Sequence, residues 1–299
     1  MRLASVDIGS NAIRMQISSV ARQHDRYLLK KMEYIRFPLR LGQDVFTTGR
    51  ISEPLQQKFI RLMEAFCAFL DLYEVDDYMI CGTSALREAA NGQELANAVE
   101  AKTGLKIHII DGNQEADLIS QSIFKLLDDK CYLHVDVGGG STELTLYNNR
   151  EKLASYSFKI GSVRNMGNVF KPTIWVQAED WIKDNITSRN LNVTAVGTGG
   201  NINKLFELAH SKNKRTRYMT LGELVQIQTE VAQLSLEERI NQLMLNPDRA
   251  DVILPASEIY LHVMRITGAK RIMVPDAGLK DGIIDLLFTK NKHLLEPLR

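Results

Sequence analysis

Residues 134–144 read HVDVGGGSTEL, and residues 5–11 read SVDIGSN. In each, a strand-like apolar run ends in an aspartate, then in glycine and a small hydroxyl residue. Glycine weakens the interior of strands and helices alike. Three in succession between two strand-like segments therefore mark a turn. Taken alone, such a turn is explained by a β-hairpin or a bulge. The same opening in two places asks for more.

The surroundings of the two turns also repeat. After the Asp7 turn, residues 12–20 (AIRMQISSV) read as a second strand and 27–39 (YLLKKMEYIRFPL) as a third. Ser52 is placed to cap a helix, with Pro54 tolerated in its first turn. That helix carries Leu55, Phe59, Leu62, Met63, Phe66 and Leu70 on one face. Residues 77–84 (DYMICGTS) form a strand ending in a Gly-Thr-Ser turn before a helix. From residue 131 the order returns: strands in 131–140, 141–149 and 152–161, a helix around 178–186, and a strand in 192–200 ending Gly-Thr-Gly-Gly before a helix. Strand, turn, strand, strand, helix, strand, Gly/Thr turn, helix thus occurs twice. The period is too long for a solenoid. It predicts two similar α/β lobes with mixed sheets, helices on the sheet faces and a ligand cleft between the lobes. Two shorter strand–turn–helix segments, 106–127 and 271–288, echo the same shape.

Composition narrows the function classes. The 299 residues are 44% apolar and 24% charged, as in an ordinary globular protein. A net charge of +1 supplies no bulk field for nucleic acid or a membrane surface, so neither is expected as a partner. Cys67, Cys81 and Cys131 are scattered and have neither disulfide-framework nor metal-site spacing. With no signal-like amino terminus and no apolar run long enough for a membrane span, a cytoplasmic location is expected. There is no Walker A sequence, no Gly-x-Ser-x-Gly elbow and no HExxH spacing.

The turns suit anion chemistry. Backbone N–H groups in a glycine and hydroxyl turn cradle phosphate, and an aspartate just before it suits a hydrated cation such as magnesium. Thr83, Ser84 and Arg87 stand at the Gly82 turn, where amides and a guanidinium suit phosphate oxygens. The turn at Gly197, Thr198, Gly199 and Gly200 corresponds to it. Glu115, just past a strand end, is a candidate general base, or a helix-start glutamate favoured by the dipole. Glu143 follows the triple glycine on the next strand, where a solvent-facing glutamate is the plainer reading. The KNKRTR run at 212–217 is either a polyanion contact or a solvated loop.

These segments together resemble the exopolyphosphatase/guanosine pentaphosphate phosphatase (Ppx/GppA) family. The motifs, in family order, are DIGSNAIRM (7–15), LRLGQDV (39–45), GTSALREAAN (82–91), IIDGNQEADLI (109–119), VDVGGGSTEL (135–144), GTGGNINKL (197–205), RADVILPA (249–256) and AGLKDG (277–282). The resemblance implies an actin-like (ribonuclease H-like) duplicated fold. It also implies release of terminal phosphate from inorganic polyphosphate or from pppGpp with magnesium or another divalent cation. By motif position, Glu115 would activate water and Glu143 would be a second catalytic carboxylate. Asp7 and Asp136 would serve the metal. Gly9, Ser10, Asn11, Gly138, Gly139, Gly140, Ser141, Arg87, Thr198 and Gly199 would line phosphate oxygens.

Three departures stand out. Gln114 replaces a glutamate common beside the catalytic one, and Lys280 replaces an arginine common in the AGLKDG motif. The chain ends at Arg299, where longer family members continue into a helical domain. The expected substrate is inorganic polyphosphate or guanosine penta- or tetraphosphate; without the further domain, short-chain or nucleotide substrates gain ground over processive action on long chains. The expected domains are 1–126 with 285–299, and 127–284. A homodimer is left open. The competing readings are an actin-like ATP-dependent kinase and a non-catalytic polyphosphate or alarmone-binding module.

Overall fold

The computed structural model describes residues 1–24, 26–164, 166, 172–210 and 215–295. The chain divides into two compact units, Met1–Ser122 with Gly278–Arg299, and Ile123–Ala277.

The first unit begins with β1 (Arg2–Ile8), β2 (Ile13–Gln23) and β3 (Arg26–Phe37), each antiparallel to the one before. Helices α1 (Leu41–Thr48) and α2 (Glu53–Leu72) lead to β4 (Asp77–Gly82), which lies parallel to β1 on its other side. Then follow α3 (Ser84–Glu88), α4 (Gly92–Thr103), parallel β5 (Ile107–Ile109) and α5 (Gly112–Phe124). The sheet order is β3-β2-β1-β4-β5. All of β1 but Arg2 is buried, as expected of a central strand covered on both faces.

The second unit repeats this plan. Strands β6 (Tyr132–Val137), β7 (Thr142–Asn148) and β8 (Glu151–Phe158) are again successive antiparallel neighbours. Helix α6 (Pro172–Ile182), extended by a π-helical turn at Lys183–Thr187, leads to β9 (Thr194–Thr198), parallel to β6. Helix α7 (Gly200–Leu208), β10 (Tyr218–Thr220), α8 (Leu221–Gln233), α9 (Leu236–Asn241), α10 (Pro247–Ala250), α11 (Ile253–Thr267) and β11 (Arg271–Met273) complete it. Its sheet order, β8-β7-β6-β9-β11 with β10 added at the edge, matches the first strand for strand. Each unit has its own apolar core. This is a duplicated α/β fold, one plan of mixed sheet and helices used twice.

The face expected on α2 is the buried one: Phe59, Met63, Phe66 and Leu70 are covered, with Leu55 and Leu62 packed at the margin. Ser52 occupies the N-cap position, but its hydroxyl makes no capping bond; its carbonyl accepts the amides of Leu55 and Gln56. No element was expected between 218 and 267. Helix α11 there is buried nearly all round, so no amphipathic stripe announces it. Among the described residues no helix is long and apolar enough to cross a membrane.

The AGLKDG motif has a packing explanation. Helix α12 (Leu279–Asn291) lies in the first unit against β1 and backs onto α5. A methyl group on Gly282 would sit 1.9 Å from the Leu118 carbonyl oxygen, so only glycine permits this approach. Lys280 pairs with Asp281 and lies 5.8 Å from the centre of the Tyr34 ring. Gly282→Ala should force α5 and α12 apart and cost about 1–3 kcal/mol. Urea denaturation of the variant would read this as a lower midpoint at unchanged slope.

Candidate active site

In the first unit, the Asp7 turn is held by its carbonyls. The Gly42 amide donates to Ser10 O at 2.7 Å, and the Arg40 amide donates to Asn11 O at 3.0 Å. Residues 39–45, a motif without an assigned role in the sequence, are thus the strap on this turn. A peptide's N–H points opposite to its C=O. With those carbonyls drawn to the strap, the amides of Asn11 and Ala12 face the other way. The Thr83 amide and hydroxyl both donate to Ile8 O, which likewise turns the Gly9 amide outward. Ser10 and Ser84 share a buried hydrogen bond of 2.8 Å between their hydroxyls, joining the two turns.

Asp7 is 7% exposed and lies opposite Arg14 in the hairpin register. An Arg14 Nη1 donates to its Oδ2 at 2.7 Å, so a cation already neutralises this carboxylate. Glu115 sits in the first turn of α5 and is 8% exposed. Its Oε2 lies 3.7 Å from Arg87 Nη1, which also donates to Ile110 O at 2.6 Å. Arg87 is therefore not on a solvated face. Gln114 serves the same helix start. Its Oε1 accepts the Asp111 amide, while Asp111 Oδ1 accepts the amides of Asn113 and Gln114. This is the reciprocal arrangement of a capping box, built with Asp and Gln. Gln114 thus fixes the turn that carries Glu115 without adding charge.

The triple-glycine turn of the second unit has a corresponding strap. The Ser162 amide donates to Gly138 O, and the Val163 and Arg164 amides both donate to Gly139 O. Arg164 Nε donates to Gly140 O at 2.6 Å. The amides of Gly139, Gly140 and Ser141 consequently face away from the strap. Gly161 makes the approach possible, since a Cβ there would lie 2.5 Å from Gly139 O.

Asp136 and Glu143 are register partners at the mouth of this turn, with one carboxylate oxygen of each within 4.8 Å of the other. Glu143 is fully buried, against the expectation of a solvent-facing strand residue, and Ser157 Oγ donates to its Oε1 at 2.7 Å. Asp136 Oδ1 accepts from Thr198 Oγ1 at 2.5 Å, and Thr198 Oγ1 is 2.8 Å from His134 Nε2. Burial pushes His134 down to about 3, so the imidazole is neutral near pH 7. The Tyr260 hydroxyl donates to Thr198 O and accepts the Val137 amide. Burial, reinforced by the Asp136 charge, raises its pKa well above the usual phenol range, so it stays protonated.

A pair of close, oxygen-only ligands, each steadied by a hydroxyl, fits a hard divalent cation. Gly199 holds φ +110°, a conformation that favours glycine, beside Asp136 Oδ1. Gly200 opens α7, whereas Gly197 lies inside β9, where an added Cβ would meet Ile272 and Ile202.

The sequence reading missed Arg14, His134, Ser157, Tyr260 and both straps. Hairpin register would have found Arg14 opposite Asp7 and Ser157 opposite Glu143. His134 lies two residues before Asp136 and so on the same strand face. Residues 39–45 stood out as a motif without a role, and nothing in the sequence pointed to Tyr260 or to the strap at 162–164. Of the KNKRTR run, Lys212, Asn213 and Lys214 lie outside the described residues. Arg217 Nε donates to Val274 O.

Two mixed sheets of one topology, each with an amide-presenting turn beside acidic residues, define a duplicated class of α/β protein. Residues 17–291 match the Ppx/GppA phosphatase family, and the chain belongs to it. It is 26% identical to the bifunctional 3-dehydroquinate synthase/phosphatase of Fusobacterium nucleatum subsp. nucleatum, over 91% of this chain and 44% of that protein. It is 25% identical to the guanosine-5'-triphosphate,3'-diphosphate pyrophosphatase of Photobacterium profundum, over 97% of this chain and 60% of that one. The chain thus spans about half the length of these relatives. Among solved structures, the Aquifex aeolicus Ppx/GppA family member superposes with a TM-score of 0.77 at 25% identity, covering 98% of this chain and 99% of that one. An exopolyphosphatase from Cytophaga hutchinsonii gives 0.85 at 23% identity, covering 97% and 98%.

Two expectations test this geometry. Gly161→Ala should lower the unfolding free energy by about 1–3 kcal/mol, because the new methyl meets backbone that cannot rotate away; an unchanged denaturation midpoint contradicts the close approach. Cys81 is fully buried, and burial, followed by the charges of Asp7 and Glu115, pushes its thiol up to about 12. At pH 8.5 it should resist alkylation in the native protein and react on unfolding, as read by mass spectrometry.

Proposed function

We propose that the chain is a phosphohydrolase releasing terminal orthophosphate from inorganic polyphosphate or from pppGpp. The observation that carries this reading is the pair of strapped turns. In both, the carbonyls are tied back and the amides are presented on the opposite side, as a polyanion requires. Glu115 would accept a proton from water as the water oxygen bonds to the terminal phosphorus and the phosphoanhydride bond breaks. Arg87, 3.7 Å from Glu115, would orient that carboxylate and face developing negative charge. Asp136 and Glu143 would hold a divalent cation, magnesium or another, whose chemistry is charge neutralisation at phosphate oxygens. In this reading Glu143 takes the part expected of Asp7, which is paired with Arg14.

The family assignment supports the phosphoanhydride class, and the likeness to the Photobacterium profundum protein supports the guanosine substrate. The proposed setting is the cytoplasm, where the three free thiols stay reduced. The purified chain with magnesium should release orthophosphate from tripolyphosphate, long polyphosphate or pppGpp, assayed side by side. Glu115→Gln should cut kcat by about 10²–10⁴-fold with little change in stability. Full activity in that variant, or no release from any of the three by the folded parent, would sink the proposal.

A further inference from the structure

His134 is fully buried beneath the triple-glycine turn, and the phosphohydrolase chemistry does not use it directly. It stands two residues before Asp136 on β6, so both side chains project from one face of the strand. Thr198 lies opposite Asp136 in the parallel register with β9 and bridges the two side chains.

Counting protons fixes the direction of this bridge. An ionised carboxylate only accepts, and a threonine hydroxyl carries one proton. The 2.5 Å bond to Asp136 Oδ1 therefore takes the Thr198 proton. What Thr198 Oγ1 turns toward His134 is a lone pair. The 2.8 Å contact is then a bond only if His134 Nε2 carries hydrogen. The other nitrogen, Nδ1, is left bare, and it is buried with no hydrogen-bond partner. An aliphatic residue would pack there without leaving that acceptor unsatisfied. The main chain of Thr198 is held independently, through the Tyr260 hydroxyl on its carbonyl. The imidazole's one hydrogen bond thus sets where the Thr198 proton points.

We infer that His134 is a positioning residue: its Nε2–H fixes the Thr198 hydroxyl so that it donates to Asp136 Oδ1, holding that carboxylate in one orientation. Thr198 accordingly acts on Asp136 and is not a side-chain donor to phosphate. The inference rests on the phosphohydrolase reading, in which Asp136 is a working carboxylate.

Two measurements test it separately from that reading. Nitrogen-15 NMR of histidine-labelled native protein should show His134 protonated at Nε2 and bare at Nδ1; the opposite tautomer overturns the inference. Binding of Mn²⁺ without substrate, followed by electron paramagnetic resonance, should weaken about 10-fold in His134→Leu and in Thr198→Val. The double variant should be no worse than Thr198→Val alone, because the two residues act in series. His134→Gln, which keeps an N–H at the end of its side chain, should recover most of the affinity. A structural role alone would not produce that rescue. Parental Mn²⁺ affinity in folded His134→Leu, or effects that multiply in the double variant, would overturn the inference. If His134→Leu does not fold, Thr198→Val and His134→Gln carry the same comparison. Absence of phosphate release by the parent chain refutes the wider reading while leaving the tautomer and Mn²⁺ results to decide this one.

Discussion

Everything at the site depends on which way a few peptide units face. A glycine turn displays carbonyls and amides with equal ease, and carbonyls repel phosphate. In both units a second segment removes the ambiguity by bonding to the carbonyls. In the first unit it is the start of α1, through Arg40 and Gly42; in the second it is residues 162–164. Each such bond contributes only about 0.5–1.5 kcal/mol of net stability. Their larger effect is orientational, since a fixed carbonyl fixes the neighbouring amide on the other side.

The same logic extends to the carboxylates. Asp136, Glu143 and Asp7 each receive a hydrogen bond from a side chain on a neighbouring strand: Thr198, Ser157 and Arg14. A donor held in the sheet loses little further entropy in pinning an acid. A charge buried without such a donor would shift toward its neutral form. The three donors differ in charge, and that difference separates the roles. Arg14 neutralises Asp7, whereas the donors on Asp136 and Glu143 are uncharged hydroxyls.

Much of the fold was legible because its signals are local. The alternating runs, the turns after Asp7 and Asp136 and the apolar face of α2 are encoded within short windows, and their repetition revealed the duplication. The region from Tyr218 to Thr267 was not legible by periodicity, since α11 is buried on nearly every side. Its neighbours did carry signals: Thr220 with Glu223 and Ser235 with Glu238 are capping boxes at the starts of α8 and α9. Of the site, the acids and glycines were readable from their motifs. Their partners were not, because each partner comes from another strand or helix.

The sequence by itself determined the two-fold repeat of strand and turn, the family and the identity of the acidic residues, since these lie in contiguous segments. The tertiary structure alone decided that Asp7 is paired with Arg14, that Glu143 is buried, and that Gln114 completes a cap. It also decided that Gly161 and Gly282 are demanded by contact with distant backbone. The physical reason is that a hydrogen bond or a steric limit depends on where two remote atoms meet. Sheet register and helix packing set that meeting, and no single window of the chain records it.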